Sequence, residues 1–321
     1  MSRITEHTIE AFAIELLEDL GYRYIYAPDI APDSDNPLRE NFEQVLLMDA
    51  LETAVRRINP DISLPVQAEA LKEIQRIASP DLLTNNETFH RFLTEGIPVT
   101  KRVGSDERGD LLWLIDFDNP LNNDFVVANQ FTVIENGVNK RPDVLLFVNG
   151  IPLVVMELKN AADENTTVRS AFRQIETYKS AIPTLFTYNG LVVISDGLEA
   201  KAGSISAGFS RYMAWKTVDG KIEASHLTSQ LETLVLGMLN PATLLDLIRH
   251  FIVFEKMKRE DAETAITTIE TVKKMAAYHQ YYAVNRAVES TLRAVDIHSI
   301  PHYNHPALAV IPPQEANLVK E

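Results

Sequence analysis

The spacing of apolar residues changes at Leu111, and this change constrains the possible folds more than any other feature of the sequence. Before Leu111, apolar side chains recur at helical spacing. After it come short runs rich in β-formers, separated by Asn, Asp, Gly and Pro, at 111–117, 125–134, 144–148 and 153–158. A helical pattern follows at 167–180 and a short apolar strand at 191–195. This order predicts an α/β fold, with a mixed β-sheet flanked by helices.

The residues before Leu111 predict one amphipathic helix followed by a helical insertion. The first helix spans 5–20, with Glu6 and Glu10 on its polar face and Gly21 where a helix C-cap is expected. A loop rich in Pro and Asp comes next. Three further helical patterns lie at 42–58, 65–77 and 87–94. We assign them to an insertion at about 38–100, within a domain that spans 1–225.

The residues after about 226 predict only helices. The patterns lie at 227–239, 242–258 and 260–292, and together they predict a C-terminal helical connector over 226–295. The tail 296–321 has no periodicity and is expected to be irregular. It contains His298, His302 and His305, but Pro301 and Pro306 exclude a helix that could group them as metal ligands.

Composition excludes several classes of function. The chain has 45 acidic and 30 basic residues, a formal net charge of −15, which is too acidic for a surface that coats nucleic acid. It has no cysteine, which excludes disulfides, thiolate zinc sites and iron–sulfur clusters and fits the cytoplasm as the expected location. The longest apolar run, 144–156, is broken by Asn149-Gly150 and is too short to span a bilayer.

An acid-x-Lys triplet inside an apolar strand is the strongest candidate for a chemical site. Three such triplets occur, and they begin at Glu157, Glu199 and Asp219. Only the first lies in an apolar strand, and only it follows a second strand that begins with an acid, Asp143. Glu157 and Lys159 should point to the same face, because side chains alternate along a strand.

The turn at Asn149-Gly150 decides whether Asp143 joins Glu157. A two-residue loop with a regular ladder would pair Asp143 with Met156 and place it on the opposite face. A three-residue loop, or a bulge at Gly150, would shift the parity and bring the two acids together. Pro152 disfavours regular pairing after the turn, so we predict the bulged register.

Two carboxylates on neighbouring strands repel each other unless a cation lies between them. All-oxygen ligation by Asp143, Glu157 and the Leu158 carbonyl favours Mg²⁺ over zinc. A nearby Lys159 ammonium could act on a water or stabilise a phosphorane-like transition state, which is the chemistry of phosphodiester hydrolysis. The alternative is a hairpin with a surface ion pair worth ~0.5 kcal/mol.

The helix at 167–180 places Gln174 and Tyr178 four residues apart on one face, with Arg169 and Arg173 close by. These side chains could contact backbone phosphates or position the Lys159 end of the site. A solvated helix face is the alternative interpretation.

At these motifs the sequence resembles the N-terminal part of the restriction (R) subunit of type I restriction-modification enzymes, in the PD-(D/E)xK nuclease superfamily. The resemblance covers about residues 4–293 and is carried by four segments and a Gln-x-x-x-Tyr element: Asn129-Gln130-Phe131-Thr132-Val133, Arg141-Pro142-Asp143-Val144, 147–153, Glu157-Leu158-Lys159-Asn160, and Gln174 with Tyr178.

The resemblance implies a role for each matching residue. Asp143 and Glu157 would be Mg²⁺ ligands and Lys159 the catalytic lysine, with Gln174 and Tyr178 as supporting residues. An acid from the first helix is also implied, and Glu10 is the match, with Glu6 as the alternative. Gln280, in the segment His279-Gln280-Tyr281-Tyr282, is similar to a glutamine that contacts adenine ahead of a helicase motor.

The sequence departs from the family where that motor should begin. Residues 294–321 contain no G-x-x-x-x-G-K-[ST] loop, so the chain is expected to be a fragment. The resemblance implies Mg²⁺-dependent cleavage of double-stranded DNA after ATP-driven translocation, with methyltransferase and specificity subunits as partners and ATP bound only by the complete subunit.

Two other functions stay open at this point. A non-catalytic module that anchors the motor to the methyltransferase would leave the hairpin acids merely solvated. An unrelated metal hydrolase is disfavoured by the lack of His-x-x-x-His and H-E-x-x-H patterns.

Overall fold

A computed structural model describes residues 5–103, 106–160, 167–260 and 267–294. The helices in these ranges are α1 (Glu6–Asp19), α2 (Met48–Ile58), α3 (Leu64–Gln75), α4 (Leu82–Glu95), α5 (Val168–Ala181), α6 (Pro183–Thr187), α7 (Gln230–Met238), α8 (Pro241–His250) and α9 (Tyr278–Ala294). The strands are β1 (Arg23–Tyr26), β2 (Ile97–Val103), β3 (Asp106–Leu112), β4 (Phe125–Asn129), β5 (Val133–Glu135), β6 (Val138–Lys140), β7 (Val144–Val148), β8 (Ile151–Leu158), β9 (Leu191–Ser195), β10 (Ala200–Gly203), β11 (Ile252–Glu260) and β12 (Thr267–Met275).

A six-stranded mixed sheet forms the centre of the fold, in the order β1-β4-β7-β8-β9-β10. The pairs β1/β4 and β8/β9 are parallel, and the other three pairs are antiparallel. Every residue of β4, β7, β8 and β9 is buried, because helices cover the sheet and its central strands are continuous apolar runs. The predicted α/β class with a mixed sheet is therefore confirmed.

Helix α1 begins with a capping box in which the Thr5 and Thr8 side chains each bond the other residue's backbone. It is followed by Gly21, whose φ of 94° is the left-handed conformation expected after a helix. Its buried stripe includes Ile9, Ala13 and Leu17. The predicted helix at 5–20 is confirmed, with Thr5 and Leu20 as the cap residues.

The predicted insertion contains α2, α3 and α4, but two of its helices start elsewhere. Residues 42–47 are not helical, so α2 begins only at Met48. Helix α4 begins at Leu82, five residues before the predicted start, because the Asp81 side chain accepts from the Thr84 N–H and caps it. The predicted strand at 111–117 is largely wrong: β3 ends at Leu112, and residues 113–117 are irregular.

The helix prediction for 242–258 and 260–292 is wrong at Ile252–Glu260 and Thr267–Met275. There β11 and β12 form an antiparallel two-stranded sheet in which Ile252 pairs with Met275. Thr267, Thr268, Ile269, Thr271 and Val272 make this segment rich in β-branched residues, which favour strands. In the predicted connector, the segments α7, α8 and α9 are helical as expected.

Buried residues of α7 and α8 belong to the same apolar cluster as the central sheet, so a separate core does not mark the domain boundary predicted at 225. That boundary stays a prediction. Within the described ranges no single helix is long and apolar enough to cross a membrane, although α7 and α8, bent by 73° at their junction, meet that criterion as a pair. The predicted tail 296–321, with its three histidines, lies outside the described residues.

Candidate active site

A tight turn joins β7 to β8. Val148 pairs with Ile151 across it, and the two turn residues, Asn149 and Gly150, have φ of 51° and 79°. Asn-Gly is the favoured sequence for a two-residue turn with two positive φ values. A Cβ at Gly150 would collide with the carbonyl of Leu47, so glycine is also required by close packing.

The bulge that shifts the register lies three residues after the predicted position. Phe147 pairs with Pro152, but Leu146 pairs with Val154, so Leu153 is an extra residue in β8. The predicted parity shift is confirmed, whereas its placement at Gly150 is wrong. Pro152 has no N–H for the ladder, which is a physical reason for the irregularity to follow it directly.

The shifted register places Asp143 opposite Glu157, one position beyond the Val144–Met156 pair. The Leu158 N–H donates to Asp143 Oδ2 at 2.7 Å. Glu157 is 1% exposed, and its Oε2 has no hydrogen-bond partner among the residues that the structure describes. A buried carboxylate oxygen without a donor is destabilising, so this atom marks a place where a further group is needed.

Lys159 is held against this pair. Its Nζ donates to Glu157 Oε1 at 2.7 Å and to the Leu158 carbonyl at 3.3 Å, and it lies 3.7 Å from Glu6 Oε1. Its backbone N–H donates to the Ser195 carbonyl at 2.8 Å, which extends the pairing of β8 with β9. The predicted pairing of Glu157 with Lys159 is confirmed by this contact between their side chains.

Burial and repulsion between acids dominate the electrostatics of the pair. Burial raises the pKa of Glu157, and the Asp143 charge raises it further. Burial also raises the pKa of Asp143, with a smaller contribution from Glu10. Burial acts to lower the pKa of Lys159, but Glu157, Asp143 and Glu6 outweigh it, so the pKa is raised and the side chain stays an ammonium.

Helix α1 brings two acids to the site, and they differ in environment. Glu10 is buried, although the sequence placed it on the polar face, because the amides of Asn129 and Gln130 both donate to its carboxylate. Glu6 is half-exposed, and its Oε1 lies 3.7 Å from Lys159 Nζ. Glu10 is therefore the acid that α1 directs towards the sheet, and its catalytic role stays a prediction.

Helix α5 contributes Tyr178 to the site. The Tyr178 hydroxyl donates to the Arg141 carbonyl at 3.3 Å, and it lies close to the Glu157 carboxylate and the Gln174 amide. Burial, with the Glu157 charge adding to it, raises the pKa of Tyr178. Arg169 instead stacks on Phe209, with its guanidinium carbon 4.3 Å from the ring centroid.

The other two acid-x-Lys triplets lie outside this environment. Lys201 forms an ion pair with Glu199 at 3.2 Å, in which the Glu199 side chain is 55% exposed. Asp219 and Lys221 lie in an exposed turn. The Glu199 triplet therefore matches the alternative of a solvated ion pair, the Asp219 triplet is exposed, and of the three only the Glu157 triplet has a buried acid.

Among the residues that the structure describes, no group of three or more His, Cys, Asp or Glu side chains is arranged to hold a metal ion. An ion at this site would bind through Asp143, Glu157 and the Leu158 carbonyl, with water completing its shell. Gln280 is exposed, and its Oε1 accepts from the Ala277 N–H at 2.9 Å, a capping contact at the start of α9. Its adenine contact stays a prediction.

Comparison with known proteins places the chain in a family. A model of the type I restriction enzyme R protein N terminus matches residues 3–211, which include every candidate site residue except Gln280. The chain belongs to this family. The HindI endonuclease subunit of Haemophilus influenzae, a type I restriction enzyme subunit, is 37% identical to this chain over 294 residues. That alignment covers 91% of this chain and 27% of the HindI subunit, so the similarity extends beyond residues 3–211.

Other type I endonuclease subunits are similar over shorter or more divergent stretches. The putative MjaIXP subunit of Methanocaldococcus jannaschii is 31% identical over 90% of this chain and 28% of its own length. The SauCOLORF180P subunit of Staphylococcus aureus is 28% identical over 63% of this chain and 19% of its own length. The chain thus spans little more than a quarter of the HindI and MjaIXP relatives.

Three residues near the acids were not predicted as site residues: Asn129, Gln130 and Tyr24. The sequence carries a signal for the first two, because the polar residues Asn129 and Gln130 follow directly after the apolar run 125–128. No local signal marks Tyr24, whose hydroxyl donates to Asn129 Oδ1 at 2.9 Å across 105 residues of sequence.

Proposed function

We propose that this chain carries the Mg²⁺-dependent endonuclease site of a type I restriction enzyme R subunit and hydrolyses phosphodiester bonds of double-stranded DNA. The observation that carries the proposal is the opposition of Asp143 and Glu157 inside the sheet, with Glu157 Oε2 buried and without a donor in the described part of the chain. A cation between the two carboxylates would satisfy that oxygen and offset the burial and the neighbouring negative charges that raise both pKa values.

The available ligands suit a hard cation. Asp143, Glu157 and the Leu158 carbonyl offer only oxygen, and the chain has no cysteine, so Mg²⁺ fits better than zinc. Bound Mg²⁺ would supply positive charge to stabilise the anionic transition state of phosphodiester hydrolysis. This is the PD-(D/E)xK arrangement that the family resemblance implies.

The protein's own residues would divide the remaining work. The Lys159 ammonium, held by Glu157, would stabilise negative charge on the phosphate or orient the attacking water. Tyr178 and Gln174 lie at the Glu157 side of the pair and would fix the orientation of the carboxylate. Glu10 would approach from α1 on the Asp143 side.

We also propose the wider setting of the site. Cleavage would follow ATP-driven translocation by a motor in the remainder of a longer subunit, in a complex with methyltransferase and specificity subunits. The acidic balance of the chain, 45 acids against 30 bases, agrees with a nuclease held on DNA by other parts of such a complex.

The test pairs metal binding with cleavage. Calorimetric titration of the chain with Mn²⁺ is compared with plasmid cleavage by the R subunit in its complex, for wild type, Asp143→Asn and Glu157→Gln. Both variants should lose Mn²⁺ binding and cleavage while keeping wild-type circular dichroism. Glu199→Gln, in the exposed triplet, is the matched control and should behave as wild type.

Cutting by either variant at the wild-type rate would place the nuclease site elsewhere. In that case the hairpin acids would be structural, and the chain would act as the docking module that is the alternative function.

A further inference from the structure

The residue that follows strand β4 has an unusual backbone conformation. Gln130 directly follows the last residue of β4, Asn129, and has φ of 59°. Left-handed backbone is uncommon for residues other than Gly, Asn and Asp. The other described non-glycine residues with positive φ, Asn136 and Asn149, both lie in two-residue hairpin turns. Gln130 does not lie in such a turn, so hairpin geometry does not explain its left-handed conformation.

Gln130 contacts both sides of the acidic site. Its backbone N–H donates to the Asp143 carbonyl at 3.3 Å, and its side-chain Nε2 donates to Glu10 Oε2 at 3.2 Å. The left-handed backbone therefore allows one residue to continue the β4/β7 ladder and to direct its amide at α1. Unfavourable backbone conformations persist where the surrounding contacts fix them, and they cluster at functional sites.

Asn129 holds the other oxygen of the same carboxylate. Its Nδ2 donates to Glu10 Oε1, while its Oδ1 accepts from the Tyr24 hydroxyl at 2.9 Å. The contact with Tyr24 fixes which end of the amide faces Glu10, since only the NH₂ group can donate to a carboxylate. Glu10 is 6% exposed, and each of its two oxygens has a donor.

We propose that Asn129 and Gln130 are positioning residues that hold the Glu10 carboxylate beside the Asp143–Glu157 site. This inference rests on the proposed nuclease function. Both donors are neutral amides, so they orient the Glu10 carboxylate without cancelling its charge, which can then act on the water shell of a bound cation. A basic residue in either place would neutralise the carboxylate, and an acidic residue would repel it.

Two variants of Gln130 separate positioning from folding. Gln130→Gly removes the amide but accepts positive φ without strain, so the fold should be retained. Gln130→Glu keeps the length of the side chain and replaces the donor with a like charge. Asn136→Gly is the matched control, because it makes the same backbone change at an exposed left-handed residue in the β5–β6 turn.

Mn²⁺ binding to the chain is measured by calorimetry, and the Mg²⁺ concentration for half-maximal cleavage is measured with the R subunit in its complex. Gln130→Gly should weaken Mn²⁺ binding about 10-fold or more, the usual effect of losing a partner that orients a ligand, and Gln130→Glu should weaken it further. The half-maximal Mg²⁺ concentration should rise by a similar factor. Asn136→Gly should match wild type.

A double-mutant cycle distinguishes positioning from a general structural effect. If Gln130 acts through Glu10, then adding Gln130→Gly to Glu10→Gln should change Mn²⁺ binding little beyond Glu10→Gln alone. Additive losses would overturn the proposal, and so would wild-type Mn²⁺ binding by both Gln130 variants.

The outcomes for the two proposals are separable. If Mn²⁺ binding by wild type does not depend on Asp143 and Glu157, the nuclease site and the positioning role both fail. If that dependence holds and the Gln130 variants bind Mn²⁺ as wild type does, only the positioning role fails.

Discussion

The Leu158 N–H donates to Asp143 Oδ2 at 2.7 Å, so strand β8 holds the carboxylate of its neighbour β7 in place. This contact exists because the extra residue, Leu153, shifts the pairing of the two strands by one position. Without the shift, Asp143 would pair with Met156 and lie on the opposite face of the sheet from Glu157. The acidic pair therefore depends on a local irregularity in an otherwise regular hairpin.

Replacing Lys159 should separate metal binding from turnover. Its raised pKa keeps the side chain an ammonium, which is not a metal ligand. We expect Lys159→Met to bind Mn²⁺ at least as tightly as wild type and to lose cleavage by about 100-fold or more, the order found when a charge-stabilising donor is removed. Lys201→Met, in the exposed triplet, is the control, and lost Mn²⁺ affinity in Lys159→Met would contradict this role.

The acidic pair should lower the stability of the metal-free protein as pH rises. The pKa values of Asp143 and Glu157 are raised in the folded state, so above about pH 4 the folded chain binds more protons here than the unfolded chain. The contribution of these two groups to the free energy of unfolding is therefore full below that pH, and it is lost as pH rises towards neutrality and above.

Urea unfolding of wild type and Glu157→Gln across pH 4 to 8 checks this sign. The variant should be the more stable protein at pH 8 without metal, by at least about 1 kcal/mol, and Mg²⁺ should stabilise wild type only. A stability difference that favours wild type increasingly with pH would show that the pair is charged and satisfied without an ion.

Substitutions on helix α5 should affect cleavage more than translocation. Tyr178→Phe removes the hydroxyl that contacts the Arg141 carbonyl and lies beside Glu157, and Gln174→Ala removes its neighbour. In the reconstituted enzyme each should slow cleavage about 10-fold or more while ATP-driven translocation continues. Tyr212→Phe is the control, because the buried Tyr212 hydroxyl has no hydrogen-bond partner within the described ranges. A parallel loss of both activities would assign α5 to folding or assembly.

Lys273 should make stability rise with pH above neutrality. It is 1% exposed, its Nζ donates to Asn86 Oδ1 at 2.9 Å and to the Asn189 carbonyl at 2.7 Å, and burial lowers its pKa to about 7. Between pH 7 and the ordinary lysine pKa near 10.4, the unfolded chain binds the proton more than the folded chain does. Stability from this group is therefore complete only above that range and is lost as pH falls towards 7.

Lys273→Met should remove this slope, which approaches about 1.4 kcal/mol per pH unit for one proton. Urea unfolding at pH 7 to 9.5 measures it. The neighbouring Lys274→Met is a close control, because Lys274 is 52% exposed and pairs with Glu255 at the surface. Equal slopes for wild type and Lys273→Met would show that Lys273 stays charged in the folded protein.

ATP should neither bind to residues 1–321 at micromolar concentration nor be hydrolysed by them. Gln280 could offer one amide to an adenine, but tight binding of ATP requires the phosphate-binding amides, lysine and hydroxyl of a P-loop, which the sequence lacks. Calorimetric titration with Mg²⁺ and ATP, together with a phosphate-release assay, tests this. Measurable turnover would place a nucleotide site within these residues.

The sequence by itself determined the central strands and the principal acids. The predicted run 144–148 is β7, and the predicted strand at 191–195 is β9, because strands buried on both faces are continuous apolar segments bounded by turn residues. An acid at the margin of such a strand is conspicuous, so Asp143 and Glu157 could be selected from 45 acidic residues.

Only the tertiary structure decided the position of the bulge, the burial of Glu10 and the pairing of β11 with β12. Glu10 receives its hydrogen bonds from residues 119 and 120 positions away, and Lys273 reaches Asn86 across 187 positions. Local periodicity reports which face of an element is apolar, but it carries no information about donors that arrive from distant segments. The environment of Glu10 therefore became visible only when α1 was packed against the end of β4.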